Sequence, residues 1–171
     1  MNGLSLRAGV GADIPALQAI ERDAAERFRP LGLLTLGDGG SSVVSSDDHA
    51  RAIGAGLSRV AERAGEAVGF AMGALYAPEV YLHEISVLRA HQGCGVGAAL
   101  LEDFAAAARA AGANAIILST FRAVPWNAPY YARRGFVEIP VADLAPWMRA
   151  IERDQAAYVD VALRVFMRRA L

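Results

Sequence analysis

The sequence predicts a mixed α/β fold, on three observations: runs of alternating or β-branched residues of strand length, apolar residues at helical spacing between them, and a central series of strand, glycine-rich turn, helix and strand. A length of 171 residues with 54% hydrophobic content suits one domain around one core, spanning 1–171.

Residues 4–7 alternate as a short strand, and Asp13 ahead of Ile14 and Pro15 predicts a helix start with aspartate as cap and proline in the first turn. Leu17, Ile20 and Ala24 then share one helical face. From 28 to 48 the pattern breaks into Pro30, glycines and serines, which predicts a long connection of the kind that often covers sites. A second helix is expected from 47 or 48 to 57, with aspartates at its positive end. Stretches 58–63 and 67–76 read as strands joined by a hairpin turn at Ala64, Gly65 and Glu66. The next strand, 80–88, is rich in β-branched and aromatic residues and runs directly into a glycine-rich turn. Beyond the turn, Leu100, Leu101, Phe104, Ala107, Ala108 and Ala111 mark an amphipathic helix that Gly112 closes. The apolar run 115–120 fits a strand covered on both faces, so these elements form a strand, crossover helix, strand unit. A short helix at 129–134 stopped by Gly135, a strand at 136–139, a helix at 143–156 and a last strand at 159–167 complete the series.

Composition narrows the function. With 17 basic and 18 acidic residues the net charge is -1, which gives no overall electrostatic reason to bind nucleic acid or an anionic membrane. No stretch offers the roughly 20 uninterrupted apolar residues that span a bilayer, and the first residues lack a leader pattern, so a cytoplasmic protein is expected. One cysteine excludes an intramolecular disulfide and a cysteine cluster, and three histidines at 49, 83 and 91 lack a paired metal spacing, so no metal is expected.

The turn Gln92, Gly93, Cys94, Gly95, Val96, Gly97 lies between a strand and a helix. Successive backbone N–H groups there can point at one anion, the helix dipole adds attraction, and glycines let phosphate oxygens approach and permit positive φ. The same glycines also serve a merely sharp turn. A dinucleotide fold would place such a turn after the first strand and an acidic residue about 20 positions on, at the end of the next strand; here the turn follows about the fourth strand and 115–120 has no acidic residue. The Gly-Lys-Ser/Thr ending of a nucleoside triphosphate loop is missing as well.

Gln92, Gly95 and Gly97 fill the signature of the GNAT N-acetyltransferase family, which is Gln or Arg, two residues, Gly, one residue, Gly or Ala. Residues Asn127, Tyr131, Gly135 and Phe136 resemble that family's second conserved stretch, in which a tyrosine precedes a Gly-Phe pair by four residues. Order and spacing of both motifs agree over 4–139. The resemblance implies a mixed, splayed, mostly antiparallel central sheet flanked by helices, with acetyl-coenzyme A as cosubstrate. It also implies that Gln92, Gly93, Cys94, Gly95, Val96 and Gly97 hold the coenzyme's pyrophosphate and that Asn127 contacts the cofactor.

Moving acetyl from a thioester to an amine needs a neutral amine, a positioned thioester, donors for the oxyanion and a proton for the departing thiolate. His83, just before the turn, stands where the similar strand of arylalkylamine acetyltransferases carries a histidine base, and it ranks first. Glu84 is the competing base or an amine anchor; neighbouring strand residues face opposite ways, so without a bulge both cannot reach one site. Tyr131 matches the family's general acid, with Tyr130 its rival, and the backbone N–H near Val87 matches the oxyanion donor. Cys94 lies in the cradle rather than beside a base, which argues against a covalent acetyl-enzyme. Tyr81, Phe28 and Trp126 are candidates for an apolar pocket wall or for core. The leading acceptor is therefore a small-molecule amine, favoured by the long 28–48 connection as a lid. Acetylation of a protein N-terminus or lysine, and a noncatalytic coenzyme A-binding module, are the alternatives. Sheet edges in this fold can pair two copies, which leaves a homodimer open.

Overall fold

The computed structural model describes residues 3–33 and 43–171. In chain order they form β1 (Leu4–Ala8), α1 (Ile14–Ala25), α2 (Ser46–Gly54), β2 (Ser58–Arg63), β3 (Glu66–Tyr76), β4 (Glu79–Val87), α3 (Val96–Ala110), β5 (Ala115–Phe121), α4 (Ala128–Ala132), β6 (Val137–Glu138), α5 (Pro146–Gln155) and β7 (Arg164–Ala170). One sheet runs in the order β1-β2-β3-β4-β5-β7-β6. Every neighbour in it is antiparallel except β4 and β5, the pair joined through α3. The β2–β3 hairpin closes on Ala64 and Gly65 with φ of 51° and 82°, the two consecutive left-handed residues that match strand twist.

The core divides by sheet face. Leu100, Leu101 and Phe104 of α3 are buried against Ala71, Leu82, Ile116 and Leu118. On the opposite face Leu17 and Ile20 of α1 and Ala52 of α2 cover Val60, Phe70 and Met72, while Met148 of α5 meets Tyr81, Ile117 and Phe166. Ile116 and Ile117 thus pack in different clusters, as period-two alternation of a doubly covered strand requires.

Two irregularities position the site. The β4–β5 ladder has three rungs, Glu79↔Ala115, Val80↔Ile116 and Tyr81↔Ile117, beyond which the two strands no longer pair. Between β3 and β4 the register shifts, with Gly73 opposite Leu82 and Met72 opposite Glu84, so His83 is an extra, unopposed residue. Gly73 is required there because a Cβ would come within 2.2 Å of Tyr81 O and 2.7 Å of Phe104 Cζ.

Several expected boundaries move. Asp13 has helical backbone and no capping role toward α1; its carboxylate accepts the Val10 N–H at 2.8 Å and pairs with Arg7 at 2.7 Å, closing a 3-10 turn instead. Asp47 and Asp48 lie in the first turn of α2 as expected, Ser45 caps it by accepting the Asp48 N–H at 3.1 Å, and the helix ends at Gly54 rather than 57, leaving Leu57 for the core. Pro146 starts α5 three residues after the expected 143, since a proline suits the first turn. The last strand begins at Arg164 rather than 159, because Asp160 accepts the Ala162 N–H at 3.0 Å and holds a 3-10 turn over Val161–Leu163. Within the predicted 28–48 connection the chain first continues the 3-10 turn Glu26–Leu31; residues 34–42, the middle of the expected lid, lie outside the described residues. Among the described residues no helix is long and apolar enough to cross a membrane.

Candidate active site

At the end of β4 the turn residues Gly93 and Gly95 take φ of 74° and 84°, conformations that a side chain would strain, and Gly95 caps α3. The first backbone bond of the helix runs from Ala99 N–H to Gly95 O, and the N–H groups of residues 93–98 have no protein acceptor among the described residues. They form a run of free donors at the positive end of a 15-residue helix. Gln92 anchors this set to the strand: its Nε2 donates to Val87 O at 2.9 Å, while its Oε1 accepts from Arg27 Nη1 at 2.9 Å. Gly97 faces α4, where a Cβ would stand 3.3 Å from Tyr130 Oη. Cys94 is exposed, with its thiol 3.5 Å from Gln92 O and no base beside it.

Where β4 and β5 part, a cavity of about 290 Å³ opens between them. Leu88 N–H donates to Val68 O at 2.9 Å, so alternation along the antiparallel ladder aims the Val87 N–H away from β3 and into this opening. The bulge brings both neighbours, His83 and Glu84, to one opening. By shifting the alternation it turns Glu84 to the α1 face, opposite Met72, and both His83 and Glu84 line the cavity. Glu84 Oε1 accepts from Ser86 Oγ at 2.6 Å.

Tyr131 lines the cavity and Tyr130 does not. The Tyr131 ring is 8% exposed, edge-on to Phe136 and to Tyr130. Burial first, and then the negative charge of Glu84, push its hydroxyl well above the ordinary tyrosine range, so it keeps its proton. Tyr130 instead lies under the Arg134 guanidinium at 3.6 Å. Asn127 donates from Nδ2 to Thr120 Oγ1 at 2.6 Å, and its buried Oδ1 has no donor among the described residues. Phe28 and Trp126 meet edge to face at 5.8 Å and wall the cavity. Tyr81 does not line it: the ring is buried behind, with its hydroxyl accepting from Gln155 Nε2 at 3.2 Å.

Two lining residues escaped the sequence reading. Glu21 of α1 is 9% exposed, and both carboxylate oxygens accept the Val44 N–H, at 3.1 and 3.0 Å. Burial, reinforced by Glu84, raises it to about 8. A signal existed, since Leu17, Ile20, Glu21 and Ala24 share one helical face and an acid among them is out of place. Arg164, at the start of β7, is half-buried, with Nε donating to Ser119 Oγ at 3.1 Å and Nη2 to Ser119 O at 2.7 Å. One arginine in a charged strand gave no signal.

The sequence profile of the acetyltransferase (GNAT) family matches residues 18–136. Among solved structures, the N-acetylglutamate synthase of Neisseria gonorrhoeae, complexed with coenzyme A and N-acetyl-glutamate, superposes with a TM-score of 0.74 at 19% identity; all of this chain is covered and 36% of that one. The chain therefore spans about a third of that enzyme's length. The PaiA N-acetyltransferase of Thermoplasma acidophilum, in complex with coenzyme A, matches with a TM-score of 0.70 at 13% identity, covering 98% of this chain and 99% of that one. A ribosomal-protein-alanine N-acetyltransferase of Brucella melitensis matches at 0.67 and 22% identity over 98% of this chain and 99% of its own. At such identities these likenesses establish the mixed, mostly antiparallel fold.

Proposed function

This chain belongs to the acetyltransferase (GNAT) family, and from that premise we propose that it moves the acetyl group of acetyl-coenzyme A onto the primary amine of a small molecule held in the β4–β5 cavity. One observation carries the reading. A single opening in the sheet has three acid–base side chains and a protonated tyrosine on its walls, and the strand that carries two of them runs on into a turn whose six N–H groups have no acceptor among the described residues.

The residues fit the cofactor on their own chemistry. Donors at 93–98 suit a pyrophosphate, and the orphaned Asn127 Oδ1 suits an amide N–H. When bound, acetyl-coenzyme A supplies the acetyl group as a thioester. Val87 N–H then polarises the carbonyl as an oxyanion donor. His83 is the first base for the incoming ammonium and Glu84 the second, the bulge letting one accept the proton while the other orients the amine. Tyr131, held protonated by its burial, donates to the departing sulfur. Direct attack is favoured over a covalent acetyl-enzyme because Cys94 is exposed on the turn, away from these groups.

The small-molecule reading rests on the cavity: its ionisable groups face inward and its volume is at the lower end of the range for small ligands. A protein N-terminus remains the second reading, supported by the ribosomal-protein-alanine N-acetyltransferase among the structural neighbours. The test is thermal unfolding with and without acetyl-coenzyme A, followed by thiol release over amines, amino acids and peptides. A raised melting temperature with thiol release on small amines is expected. No shift at saturating cofactor would sink the reading, and release on peptides alone would replace its acceptor.

A further inference from the structure

Strand β7 carries three arginines, and their partners differ. Arg168 pairs with Glu79 at 3.0 Å and Arg169 with Glu102 at 2.6 Å. Arg164 has no carboxylate within 4.0 Å among the described residues, although it lines the cavity. Among the described residues its hydrogen bonds go only to Ser119, from Nε and Nη2, and it lies against Phe121 with its guanidinium carbon 4.9 Å from the ring centre. Nη1 makes no hydrogen bond among the described residues. Guanidinium stays charged under all ordinary conditions, and a desolvated cation lacking an anion is unfavourable, which burial registers here by lowering its affinity for the proton. The neutral Ser119 groups fix its plane without neutralising it.

Its position is informative. Arg164 pairs in register with Phe121, and Ser119 with Phe166, whose side chain packs on the α5 face. Arg164 therefore faces the same side of the sheet as Glu84 and Glu21, with β5 between them. Cation and carboxylates are opposed across one opening, and Tyr131 reaches it from α4. The pyrophosphate donors at 93–98 lie on the turn after β4, so Arg164 is not part of that cradle.

Resting on the acetyl-transfer reading above, we propose that the acceptor is an amine that carries a carboxylate, with Arg164 binding the carboxylate through its free guanidinium edge and Glu84 receiving the ammonium end. A planar guanidinium fork held at one edge by Ser119 is matched to a carboxylate, and opposed charges set the acceptor's direction so that its nitrogen lies on the His83 side. Arg164 is a specificity-determining residue in this scheme and takes no part in proton transfer.

The test uses matched acceptors that differ in one group: a panel of α-, β- and γ-amino acids against their carboxamides, with thiol release read as kcat/KM for the wild-type protein, Arg164→Lys and Arg164→Gln. The wild type is expected to prefer the best acid over its carboxamide by roughly 100-fold. Arg164→Gln should lose most of that preference through the acid, Arg164→Lys should keep part of it, and the acetyl-coenzyme A melting shift should persist in both. Equal rates on acid and carboxamide in the wild type would overturn the proposal, and that result needs no variant. So would an Arg164→Gln protein that melts normally yet loses both acceptors equally, since Arg164 would then serve only to hold Ser119. A cofactor-induced melting shift without turnover of any amino acid would reject the acceptor class while leaving cofactor binding intact; loss of the shift itself would reject the acetyl-transfer reading instead.

Discussion

Strands β4 and β5 are closed at one end and open at the other, and the two ends use different residues. At the closed end Val80, Tyr81, Ile116 and Ile117 are buried, pair in register and separate the two sheet faces as core. At the open end Glu84, Ser86, Ser119 and Thr120 replace them, and Val87 N–H faces a gap instead of a neighbour. A continuous ladder would satisfy the backbone but would leave no room for a thioester. Three rungs, two of them apolar on both strands, hold the strands at one end so that they can stand apart at the other, and the polar groups exposed there are those the proposed chemistry uses.

Four variants would break or sharpen this contrast. The largest effect is expected from Tyr131→Phe at the open end, which keeps the ring packing on Phe136 but removes the proton donor: kcat should fall by roughly 10²–10⁴-fold with acetyl-coenzyme A affinity within about twofold of wild type. Equal loss of affinity would mean the hydroxyl serves binding. Gly73→Ala attacks the closed end, because its Cβ would sit 2.2 Å from Tyr81 O beside the bulge. About 3 kcal/mol of stability should be lost in urea unfolding; an unchanged midpoint would show that the bulge relaxes freely. Gly95→Asp adds a charge and a side chain at φ 84° in the donor cradle. Cofactor affinity should weaken at least about tenfold by titration calorimetry, with little change in kcat at saturation.

The last variant concerns Glu21, which lines the open end from α1. Its carboxyl is raised to about 8 in the folded protein against an ordinary 4.5, so between those values the native state binds more protons than the unfolded one and stability falls as pH rises. Glu21→Gln cannot ionise. Its melting temperature relative to wild type should therefore rise by several degrees, on the order of a few kcal/mol, on going from pH 5 to pH 8.5. A constant difference across that range would mean Glu21 ionises as readily folded as unfolded.

Much of the frame was readable in advance. Alternation and helical spacing located β1 to β5 and the helices α1 and α3 closely, and Ala64 with Gly65 marked the hairpin. The glycine turn was legible because positive φ and close approach both demand glycine at Gly93 and Gly95. The start of β7 was misplaced by five residues because the apolar residues at 159–163 alternate like a strand while Asp160 turns the backbone locally. The early residues of α5 were misread for the related reason that Pro146 resets the helix.

Sequence by itself determined what is local: which segments are strands or helices, where backbone donors are freed at a helix start, and which residue types stand near them. Tertiary structure decided what depends on strands distant in the chain. The bulge that sets His83 and Glu84 at one cavity arises from the close approach of Gly73 to Tyr81, and no pattern within β4 announces it. Of Tyr130 and Tyr131, only the Tyr131 ring lines the open seam. Glu21 and Arg164 became neighbours of that seam only when α1 and β7 packed on the same side of the sheet, because burial and charge opposition are properties of packed surfaces rather than of a chain.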